Sequence, residues 1–409
     1  MNCRFCGTEL KHVFIDLGSA PPSNSYLTAS QLDKPESFYP LKIFVCSNCF
    51  LVQVDEYKKA SEIFDNEYAY FSSYSTSWLA HAKTYTEKMI GRFGYNEKSL
   101  VIEIASNDGY LLQYFKEKKI PVLGIEPTES TAKVAREKGI ESITEFFGET
   151  FAGKLVAQNR KADLLLGNNV LAHVPDINDF VEGLKVALKN DGVITMEFPH
   201  LVKLIENSQF DTIYHEHFSY LSFTTVNTVF QTHGLSMFDV EEIPTHGGSL
   251  RIYAKHKGDD SKPISKSVSG LLEKEKSAGI TDMNYYNGFG EKVTRIKNDL
   301  LHFLDEQKKL GKRIAAYGAA AKGNTLLNYC GIKNDVITFV VDASPHKQGK
   351  FLPGSHIPIV PESEIRKTKP DFIIVFPWNI KEEIFNQLGY IREWGGQFVI
   401  SIPKFEVIR

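Results

Sequence analysis

The segment Leu100-Val-Ile-Glu-Ile-Ala-Ser-Asn-Asp-Gly109 joins an apolar run to an acidic turn that ends in glycine. Residues 100–104 are typical of a buried strand, and the pattern over residues 110–118 predicts a helix. A strand that passes into a helix through such a turn is the first part of a βαβ unit. The segment therefore predicts an α/β fold, with the turn at the carboxyl end of a strand, where such folds bind ligands.

The alternation of strand and helix continues to about residue 199 and returns near the C-terminus. Strands separated by helices imply βαβ units and parallel sheets. Between these regions, the charged segment 265–311 has apolar residues at helical spacing, with a break at Gly288 and Gly290. We predict further strands at 122–125, 162–166, 192–196, 250–253, 313–317, 336–341 and 372–376, and helices at 130–138 and 177–188.

The length of the chain, 409 residues, is too great for one ordinary core and predicts two or three domains. Its apolar runs, such as residues 372–376, have strand length and are too short to span a membrane. The net charge is −3, and no cluster of Lys and Arg has interleaved aromatic residues, which argues against a nucleic-acid-binding surface. Because the sequence opens on Met1-Asn-Cys3 without a charged and then apolar leader, we expect a cytoplasmic protein.

Four of the five cysteines form two Cys-x-x-Cys pairs, Cys3 with Cys6 and Cys46 with Cys49. Two such pairs can complete a closed tetrahedral zinc site, and the proline-containing segment between them can fold back. The alternatives are two disulfides, which a reducing compartment disfavours, or a redox pair, although redox motifs rarely come doubled. We predict a structural zinc, since four thiolates leave no open position for a substrate. Cys330 is expected to be a buried, small apolar residue.

The turn after the first strand lacks the glycines of a dinucleotide site, because Ala105 and Asn107 occupy their positions. A pyrophosphate would have little room there, so a cofactor without phosphates fits better, and S-adenosylmethionine (SAM) is the obvious one. Glu126, at the end of the second strand, is placed to accept both hydroxyls of a ribose. An ordinary strand-to-helix turn is the alternative. The predicted cofactor-binding residues are Glu103, Ala105, Asn107, Asp108, Gly109, Glu126, Pro127, Asn168 and Asn169.

The cluster Tyr214-His-Glu-His217 holds four side chains that can donate, accept or shuttle protons. Histidine titrates near working pH and can act as a general base, and tyrosine can donate a hydrogen bond to a developing oxyanion. In an extended segment Tyr214 and Glu216 would share one face and His215 and His217 the other, whereas a turn could bring all four together. The alternatives are a metal site and a satisfied polar corner. Beside a cofactor site, the cluster predicts an enzyme that removes a proton and uses the resulting carbanion.

Two glycine-containing loops are candidates for binding phosphate. His246-Gly-Gly-Ser249 precedes Arg251, although it can equally be a plain glycine turn before a strand. Gly318-Ala-Ala-Ala-Lys322-Gly323 resembles a phosphate-binding turn at a helix N-terminus. It is not a Walker motif, so ATP hydrolysis is not implied. The alternative for this C-terminal block is that it only buries the other domain.

Six motifs in this chain resemble those of the deoxysugar C-methyltransferases, which act on nucleotide-linked 4-keto-6-deoxy sugars. The similarity covers the whole chain, including the paired cysteines and the C-terminal domain. Many members have glycine where this chain has Ala105, a departure that should only narrow the space beside the cofactor. The motifs are Glu-Ile-Ala-Ser-Asn-Asp-Gly (103–109), Gly-Ile-Glu-Pro (124–127), Gly-Asn-Asn-Val-Leu-Ala-His (167–173), Tyr-His-Glu-His-Phe-Ser-Tyr (214–220), Gly-Gly-Ser-Leu-Arg (247–251) and Tyr-Gly-Ala-Ala-Ala-Lys-Gly-Asn-Thr (317–325).

The resemblance implies an α/β protein in four parts. These are a zinc-binding module (1–72), a central Rossmann-like SAM-dependent methyltransferase domain (73–258), a helical linker (259–311) and a second Rossmann-like α/β domain that binds the nucleotide sugar (312–409).

The resemblance also implies the chemistry. A base forms an enolate next to the ketone of a nucleotide-linked sugar, with dTDP as the expected nucleotide, and SAM methylates the enolate carbon, with C-3 the expected position. It favours His217 as the base, and Tyr214 and Glu216 as groups that bind or polarise the sugar. Tyr70, or Tyr68 of the same aromatic segment, is expected to be a further contact at the catalytic site. Predicted substrate contacts are Tyr68, Tyr70, His215, Arg251, Gly318, Lys322, Asp342, Lys347 and Trp378.

Two other functions are weighed against this one. Methylation of oxygen or nitrogen on a small molecule would not need a base able to break a C–H bond. A non-enzymatic zinc-ribbon protein that reads nucleic acid would need a basic surface, which the charge of −3 contradicts. We therefore expect a nucleotide-linked deoxysugar as the partner, no nucleic acid and no membrane, and a monomeric protein.

Overall fold

The computed structural model describes residues 1–63 and 71–409, which form three β-sheets with surrounding helices. The strands are β1 (His12–Ala20), β2 (Tyr39–Val45), β3 (Val52–Val54), β4 (Val101–Ile104), β5 (Val122–Ile125), β6 (Ser142–Ile143), β7 (Ala162–Asn168), β8 (Leu188–Pro199), β9 (Ser219–Tyr220), β10 (Leu235–Ile243), β11 (Ser249–His256), β12 (Ile314–Tyr317), β13 (Val340–Val341), β14 (Ile359–Val360), β15 (Phe372–Val375), β16 (Gln397–Ile400) and β17 (Glu406–Ile408).

Thirteen α-helices connect and cover these strands in the described part of the chain. They are α1 (Ala60–Ile63), α2 (Thr76–Phe93), α3 (Leu112–Glu117), α4 (Glu129–Glu137), α5 (Glu149–Ala157), α6 (Ile177–Ala187), α7 (Leu201–Glu206), α8 (Phe223–Thr232), α9 (Lys266–Ala278), α10 (Phe289–Lys309), α11 (Ala321–Cys330), α12 (Ser363–Thr368) and α13 (Lys381–Gln387). None of the helices in the described ranges is long and apolar enough to cross a membrane.

The central sheet has the strand order β10-β11-β8-β7-β4-β5-β6. The strands from β6 to β8 are parallel, and β11 and β10 extend the sheet antiparallel. Every residue of β4 is buried, which is why its sequence is a nearly continuous apolar run. Strand β4 lies between β5 and β7, so the chain leaves it toward one side of the sheet and later returns on the other. This switch point is where doubly wound folds open a ligand crevice.

The C-terminal sheet has the order β14-β13-β12-β15-β16-β17, with β17 the antiparallel edge strand. The predicted strand at residues 336–341 is shorter than expected. The backbone amides of Val336 and Ile337 both bond to the carbonyl of Lys333, so a turn occupies the first part of the range. The two parallel sheets make this an α/β protein with two Rossmann-like units, as the sequence predicted.

The linker region is helical, as predicted. Helix α10 begins after Gly288, whose φ of 79° lies in the left-handed region that favours glycine. Its buried face includes Val293, Ile296 and Leu300, which are spaced at three and four residues.

The N-terminal sheet, of order β1-β2-β3-β9, contains one strand from far along the chain. Strand β9 pairs antiparallel with β3, through Tyr220 opposite Val52 and Ser219 opposite Gln53. The segment that follows the predicted proton-handling cluster is thus hydrogen-bonded to the cysteine-bearing module. The predicted domain limits put β3 in the zinc-binding module and β9 in the methyltransferase domain. These limits stay predictions.

The four paired cysteines converge beside this sheet. Their Sγ atoms all lie within 4.8 Å of one another, and the pairs Cys3–Cys49 and Cys6–Cys46 are each 3.5 Å apart. A tetrahedral zinc with Zn–S bonds of about 2.3 Å would hold its sulfurs about 3.8 Å apart, so the cluster fits this ion closely. Disulfides would pair sulfurs at about 2.05 Å, and all five cysteines are free in this structure.

We expect Cys3→Ser to lower the zinc content and the stability, because the metal contributes directly to folding free energy. The melting temperature should fall by roughly 5 °C or more, with little change in the chemical step per folded molecule. Elemental analysis and thermal unfolding measure the two effects, with Cys330→Ser, a buried cysteine outside the cluster, as the matched control. A Cys3→Ser protein that lacks zinc but unfolds at the wild-type temperature would contradict a structural role.

Candidate active site

A cavity of about 710 Å³ lies at the carboxyl ends of both parallel sheets. Its lining combines the turn after β4, the ends of β5 and β7, the start of α2, the loop before β11 and the turn before α11. Asn24 adds a side chain from the N-terminal module. The volume lies within the range of small-molecule and cofactor sites.

The turn after β4 has an unusual backbone. Ala105 and Asn107 have φ angles of 55° and 49°, in the left-handed region that glycine tolerates best. Ala105 and Asn107 both line the cavity. A glycine at position 105, as in the resembling family, would therefore relieve strain as well as widen the space.

Gly109 and Asp108 do not line the cavity, contrary to the predicted approach to a ligand. A Cβ on Gly109 would lie 2.5 Å from Ile140 Cδ1, and its φ is 75°, so the glycine allows close packing within the domain. The Asp108 carboxylate lies 3.3 Å from Lys138 Nζ. Glu103 is likewise outside the lining, and burial raises the pKa of its carboxyl well above the usual value. These three residues therefore support the turn without bordering the cavity.

Glu126 and Pro127 line the cavity at the end of β5. The Glu126 carboxylate accepts hydrogen bonds from the backbone amides of Asn107 at 2.8 Å and Thr128 at 3.0 Å. Burial raises the pKa of Glu126, and these amides oppose the rise. Glu126 therefore links the ends of two neighbouring strands at the point where a ribose is predicted.

Asn168 and Asn169 line the cavity at the end of β7. Asn168 is 8% exposed, and neither its Oδ1 nor its Nδ2 has a hydrogen-bond partner in the described part of the chain. An unpartnered amide of this kind costs about 1–3 kcal/mol unless a ligand satisfies it. Asn169 Nδ2 donates to His246 Nε2 at 3.0 Å. Asn168 therefore offers an open amide to a ligand, and Asn169 holds His246 in place.

The cluster at 214–217 is a tight turn, closed by a 3.0 Å hydrogen bond from the His217 amide to the Tyr214 carbonyl. Such a turn brings its first and fourth residues together and directs its central residues elsewhere. Accordingly Tyr214 and His217 line the cavity, whereas His215 and Glu216 do not. Of the two alternatives that the sequence left open, the segment is the turn and not the extended strand, and two of its four side chains converge on the cavity.

His217 has its protonation pattern fixed by its neighbours. Nδ1 lies 2.9 Å from the Thr212 carbonyl, which can only accept, so Nδ1 carries the proton. Nε2 is then the acceptor for the Tyr214 hydroxyl, 2.8 Å away. Burial lowers the pKa of His217 well below its ordinary value, and nearby His173 adds to the effect. The ring is therefore neutral near pH 7, with an unprotonated nitrogen at the cavity.

His215 points away from the cavity, so its predicted contact with substrate is wrong. Its Nε2 lies 3.3 Å from the carbonyls of Tyr39 and Pro40 in the N-terminal sheet. The Glu216 side chain faces a smaller cavity, in whose wall Asn24 also lies. Asn24 Nδ2 is 3.4 Å from Glu216 Oε1, and the Glu216 carbonyl accepts from His173 Nδ1 at 2.7 Å. Glu216 thus lies behind the wall of the main cavity.

On the C-terminal side, Lys322 and Lys347 line the cavity. Lys322 Nζ donates to Asn379 Oδ1 at 2.8 Å and lies 4.4 Å from the centre of the Trp378 ring. Burial lowers the pKa of Lys322 to about 8, which nearby Asp211 partly opposes. Lys347 Nζ donates to the Ala319 carbonyl at 2.9 Å. Both ammonium groups are therefore held at one end of the cavity.

Three predicted contacts of the C-terminal domain lie behind this lining. Trp378 donates its indole N–H to Asp211 at 2.7 Å, Asp342 lies 3.5 Å from Lys347, and Gly318 packs where a Cβ would meet Pro377 at 2.5 Å. They position the two lysines and their loop and do not border the cavity themselves.

Arg251 is not a substrate contact, contrary to prediction. It is 5% exposed, lies within β11 opposite Glu197 of β8, and its guanidinium binds Glu197 at 2.6 Å and Glu241 at 3.2 Å. The preceding loop instead contributes His246, whose φ is 54° and whose Asn169 partner lines the same cavity. Burial lowers the pKa of His246 to about 4.

Several cavity residues were not among the predicted site residues. His246 stood in a motif that was assigned to phosphate, and its flanking glycines marked a strained loop. Trp78, His81 and Asn24 had no local motif, because distant segments bring them to the cavity. Tyr68 and Tyr70 lie outside the described residues, so their predicted roles stay predictions.

Comparison with known proteins identifies the family of this chain. Three family models match in order: "Putative zinc binding domain" over residues 3–64, "Methyltransferase domain" over 79–240 and "C-methyltransferase C-terminal domain" over 244–403. The chain is 33% identical to the C-methyltransferase NovU of Streptomyces niveus over 406 residues, covering 99% of this chain and 96% of that one. This chain belongs to the SAM-dependent sugar C-methyltransferase family.

Solved structures that resemble this methyltransferase match parts of it. PH0226 protein from Pyrococcus horikoshii OT3 is 16% identical, with a TM-score of 0.38, and covers 49% of this chain and 100% of its own. Magnesium protoporphyrin IX methyltransferase of Synechocystis PCC 6803 with bound SAM is 14% identical, with a TM-score of 0.33, and covers 43% and 78%. These TM-scores are low, so the fold assignment depends on the sheet topology.

The protein is thus a SAM-dependent C-methyltransferase with a four-cysteine zinc-binding module. The site fits SAM, because the cavity offers an open amide at Asn168 and an acidic residue, Glu126, at neighbouring strand ends. Family membership does not support the two alternatives, a methyltransferase acting on oxygen or nitrogen and a non-enzymatic nucleic-acid-binding protein.

We expect Ala105→Gly to leave the stability unchanged or raise it by up to about 1.5 kcal/mol. The left-handed backbone costs alanine about 1–2 kcal/mol, which exceeds the extra entropy that glycine loses, about 0.5–1 kcal/mol. Ala135→Gly, in the interior of α4, is the matched control and should destabilise by about 1 kcal/mol or more. Denaturant unfolding measures both, and equal destabilisation by the two changes would contradict the strain at Ala105.

Proposed function

We propose that this enzyme deprotonates a nucleotide-linked 4-keto-6-deoxy sugar next to its ketone and methylates the resulting enolate carbon at C-3. The observation that carries the proposal is the unprotonated Nε2 of His217, which faces the same cavity as Ala105, Glu126 and Asn168. A base that removes a proton from carbon and a methyl donor must both reach one substrate atom. The shared cavity supports that arrangement.

His217 is the proposed base. As the C–H bond next to the ketone breaks, the proton moves to Nε2 and the electron pair delocalises onto the ketone oxygen. The Nδ1 hydrogen bond to Thr212 holds the ring in the tautomer that this step needs. The substrate must displace the Tyr214 hydroxyl from Nε2, which leaves that hydroxyl available to donate to the ketone oxygen.

When SAM is bound, it supplies an electrophilic methyl group to the enolate carbon. Exclusion of water by the bound ligands would keep the enolate from being protonated before it is methylated. His173, whose Nδ1 is held by the Glu216 carbonyl, packs edge-on against His217 with ring centroids 4.6 Å apart. We propose that Glu216 is a positioning residue. Its carbonyl orients His173, which packs on His217, and its carboxylate holds Asn24 at the cavity wall.

The nucleotide part of the substrate is proposed from the side of the cavity that the C-terminal domain lines. Lys322 and Lys347 place two ammonium groups there, and Asn379 adds an amide. A diphosphate would satisfy this cationic end, with the sugar between it and His217. The family resemblance favours dTDP as the nucleotide.

A direct test combines this enzyme with SAM and a panel of nucleotide-linked 4-keto-6-deoxy sugars, followed by NMR. A new carbon–methyl bond at C-3 is the expected product. Methylation at another carbon, or at a hydroxyl, would contradict the proposed position of the base.

Replacement of His217 by alanine should abolish turnover while leaving SAM binding nearly intact. It should also abolish exchange of solvent deuterium into the ketosugar in the absence of SAM, because both need the same C–H cleavage. Loss of a general base typically costs about 10²–10⁴-fold. His215→Ala is the matched control, since the neighbouring imidazole faces away from the cavity, and its turnover per folded molecule should persist. Exchange by His217→Ala at the wild-type rate would remove His217 from the role of base.

The pH dependence follows from the direction of the His217 pKa. The neutral ring is the active form, so kcat/KM should rise with pH through the pKa of the free enzyme. Because burial lowers the pKa of His217 well below 6.5, kcat/KM should be flat from pH 6.5 to 7, a range below the pKa of about 8 of Lys322, and its acidic fall should come only below pH 6.5. The profile is measured with a return to pH 7.5 to exclude irreversible loss. An acidic limb with its midpoint at or above pH 6.5 would contradict this assignment.

A further inference from the structure

One imidazole–carboxylate pair in the cavity has no role in the chemistry described above. His81, on α2, lines the cavity and its Nε2 lies 2.8 Å from the Glu197 carboxylate. The His81 side chain is 19% exposed and Glu197 is 1% exposed. Trp78 stacks on the imidazole with centroids 4.9 Å apart and planes 17° apart. The ring is therefore fixed in position as well as partnered.

The Glu197 carboxylate that partners His81 is buried and is held by Arg251. Arg251 binds Glu197 Oε1 through Nε and Nη2, both at 2.6 Å, and Glu197 Oε2 receives His81. Because a carboxylate only accepts, His81 Nε2 carries the proton and donates. Nδ1 of His81 has no hydrogen bond to any described residue. A buried arginine thus holds a glutamate that presents a histidine to the cavity, with one ring nitrogen available.

The position of this pair along the sheet indicates which part of the cofactor it meets. Glu126 ends β5, Ala105 follows β4, Asn168 ends β7 and Glu197 lies opposite Asn168 in β8. Neighbouring strands are about 4.8 Å apart, so Glu126 and Glu197 are separated by about 14 Å across the sheet. If the ribose of SAM lies at Glu126, the rest of the cofactor extends over β4 and β7 toward His81. That end of SAM is an amino acid with a free carboxylate.

We propose that His81 binds the α-carboxylate of the methionine part of SAM, and that Glu197 and Arg251 are positioning residues that hold His81. The proposal rests on the proposed function and on the ribose location at Glu126 that the sequence predicts. The cavity's two lysines lie on the side of the C-terminal domain, whereas His81 lies beside Glu197 at the methyltransferase sheet. In the complex Nδ1 would donate to the α-carboxylate while Nε2 donates to Glu197, and hydrogen bonds between charged groups are stronger than neutral ones.

The test compares two ligands that differ only at this end, S-adenosylhomocysteine and 5′-methylthioadenosine, which lacks the amino-acid group. By calorimetry, His81→Ala should weaken S-adenosylhomocysteine by about 10–100-fold, the range for a lost charge-assisted hydrogen bond. The affinity for 5′-methylthioadenosine should stay unchanged. Glu197→Gln should shift the same ratio in the same direction, a change that a general loss of stability would not produce.

The matched control is His233→Ala, since His233 is also paired with a carboxylate, Glu182, at 3.1 Å but lies outside the cavity lining. It should bind both ligands as the wild type does. Equal weakening of both ligands by His81→Ala, or a raised KM for the sugar with unchanged S-adenosylhomocysteine binding, would overturn the role of His81. Glu126→Ala separates this from the cofactor site itself: it should weaken both ligands, and if it weakens neither, the location of the ribose is wrong.

Discussion

The hydrogen bond from His217 Nδ1 to the Thr212 carbonyl is the interaction on which this site depends. It decides which nitrogen of the ring is free, and a neutral imidazole with the other tautomer would present a donor to the substrate instead of a base. The turn closed by Tyr214 and His217 then places that nitrogen at the cavity. Three parts of the protein hold the turn in place. Strand β3 pairs with β9 just after it, Thr325 of α11 donates to the Ile213 carbonyl at 2.7 Å, and His173 donates to the Glu216 carbonyl.

This junction gives the cysteine module a role beyond its own stability. Strand β3 follows the second cysteine pair directly and carries β9 on its edge. One hydrophobic core includes residues from β1 to β3, from the 201–220 segment and from the C-terminal sheet. The zinc-binding module is therefore built into the wall of the cavity, with Asn24 as its contribution to the lining.

Local patterns allowed much of the fold to be predicted from the sequence. The strand at residues 100–104, the turn that follows it and each Cys-x-x-Cys pair are recognised from neighbours within a few positions, and the structure has the strand and the turn where the sequence predicted them. Arg251 and His215 were misassigned because their partners are remote: Glu197 lies 54 residues from Arg251, and Tyr39 lies 176 residues from His215. His81 was not predicted for the same reason, because no residue near it in the chain indicates that its partner is Glu197. Cross-sheet register decides these contacts, and periodicity alone does not encode it.

The protonation state of His217 is the central claim of this account, and nitrogen NMR of histidine-labelled enzyme tests it most directly. The signals of His217 are assigned by their loss in His217→Asn. Between pH 8 and pH 6.5 the account predicts a neutral ring with the proton on Nδ1 and none on Nε2. A doubly protonated ring in that range, or a neutral ring with the proton on Nε2, would contradict it.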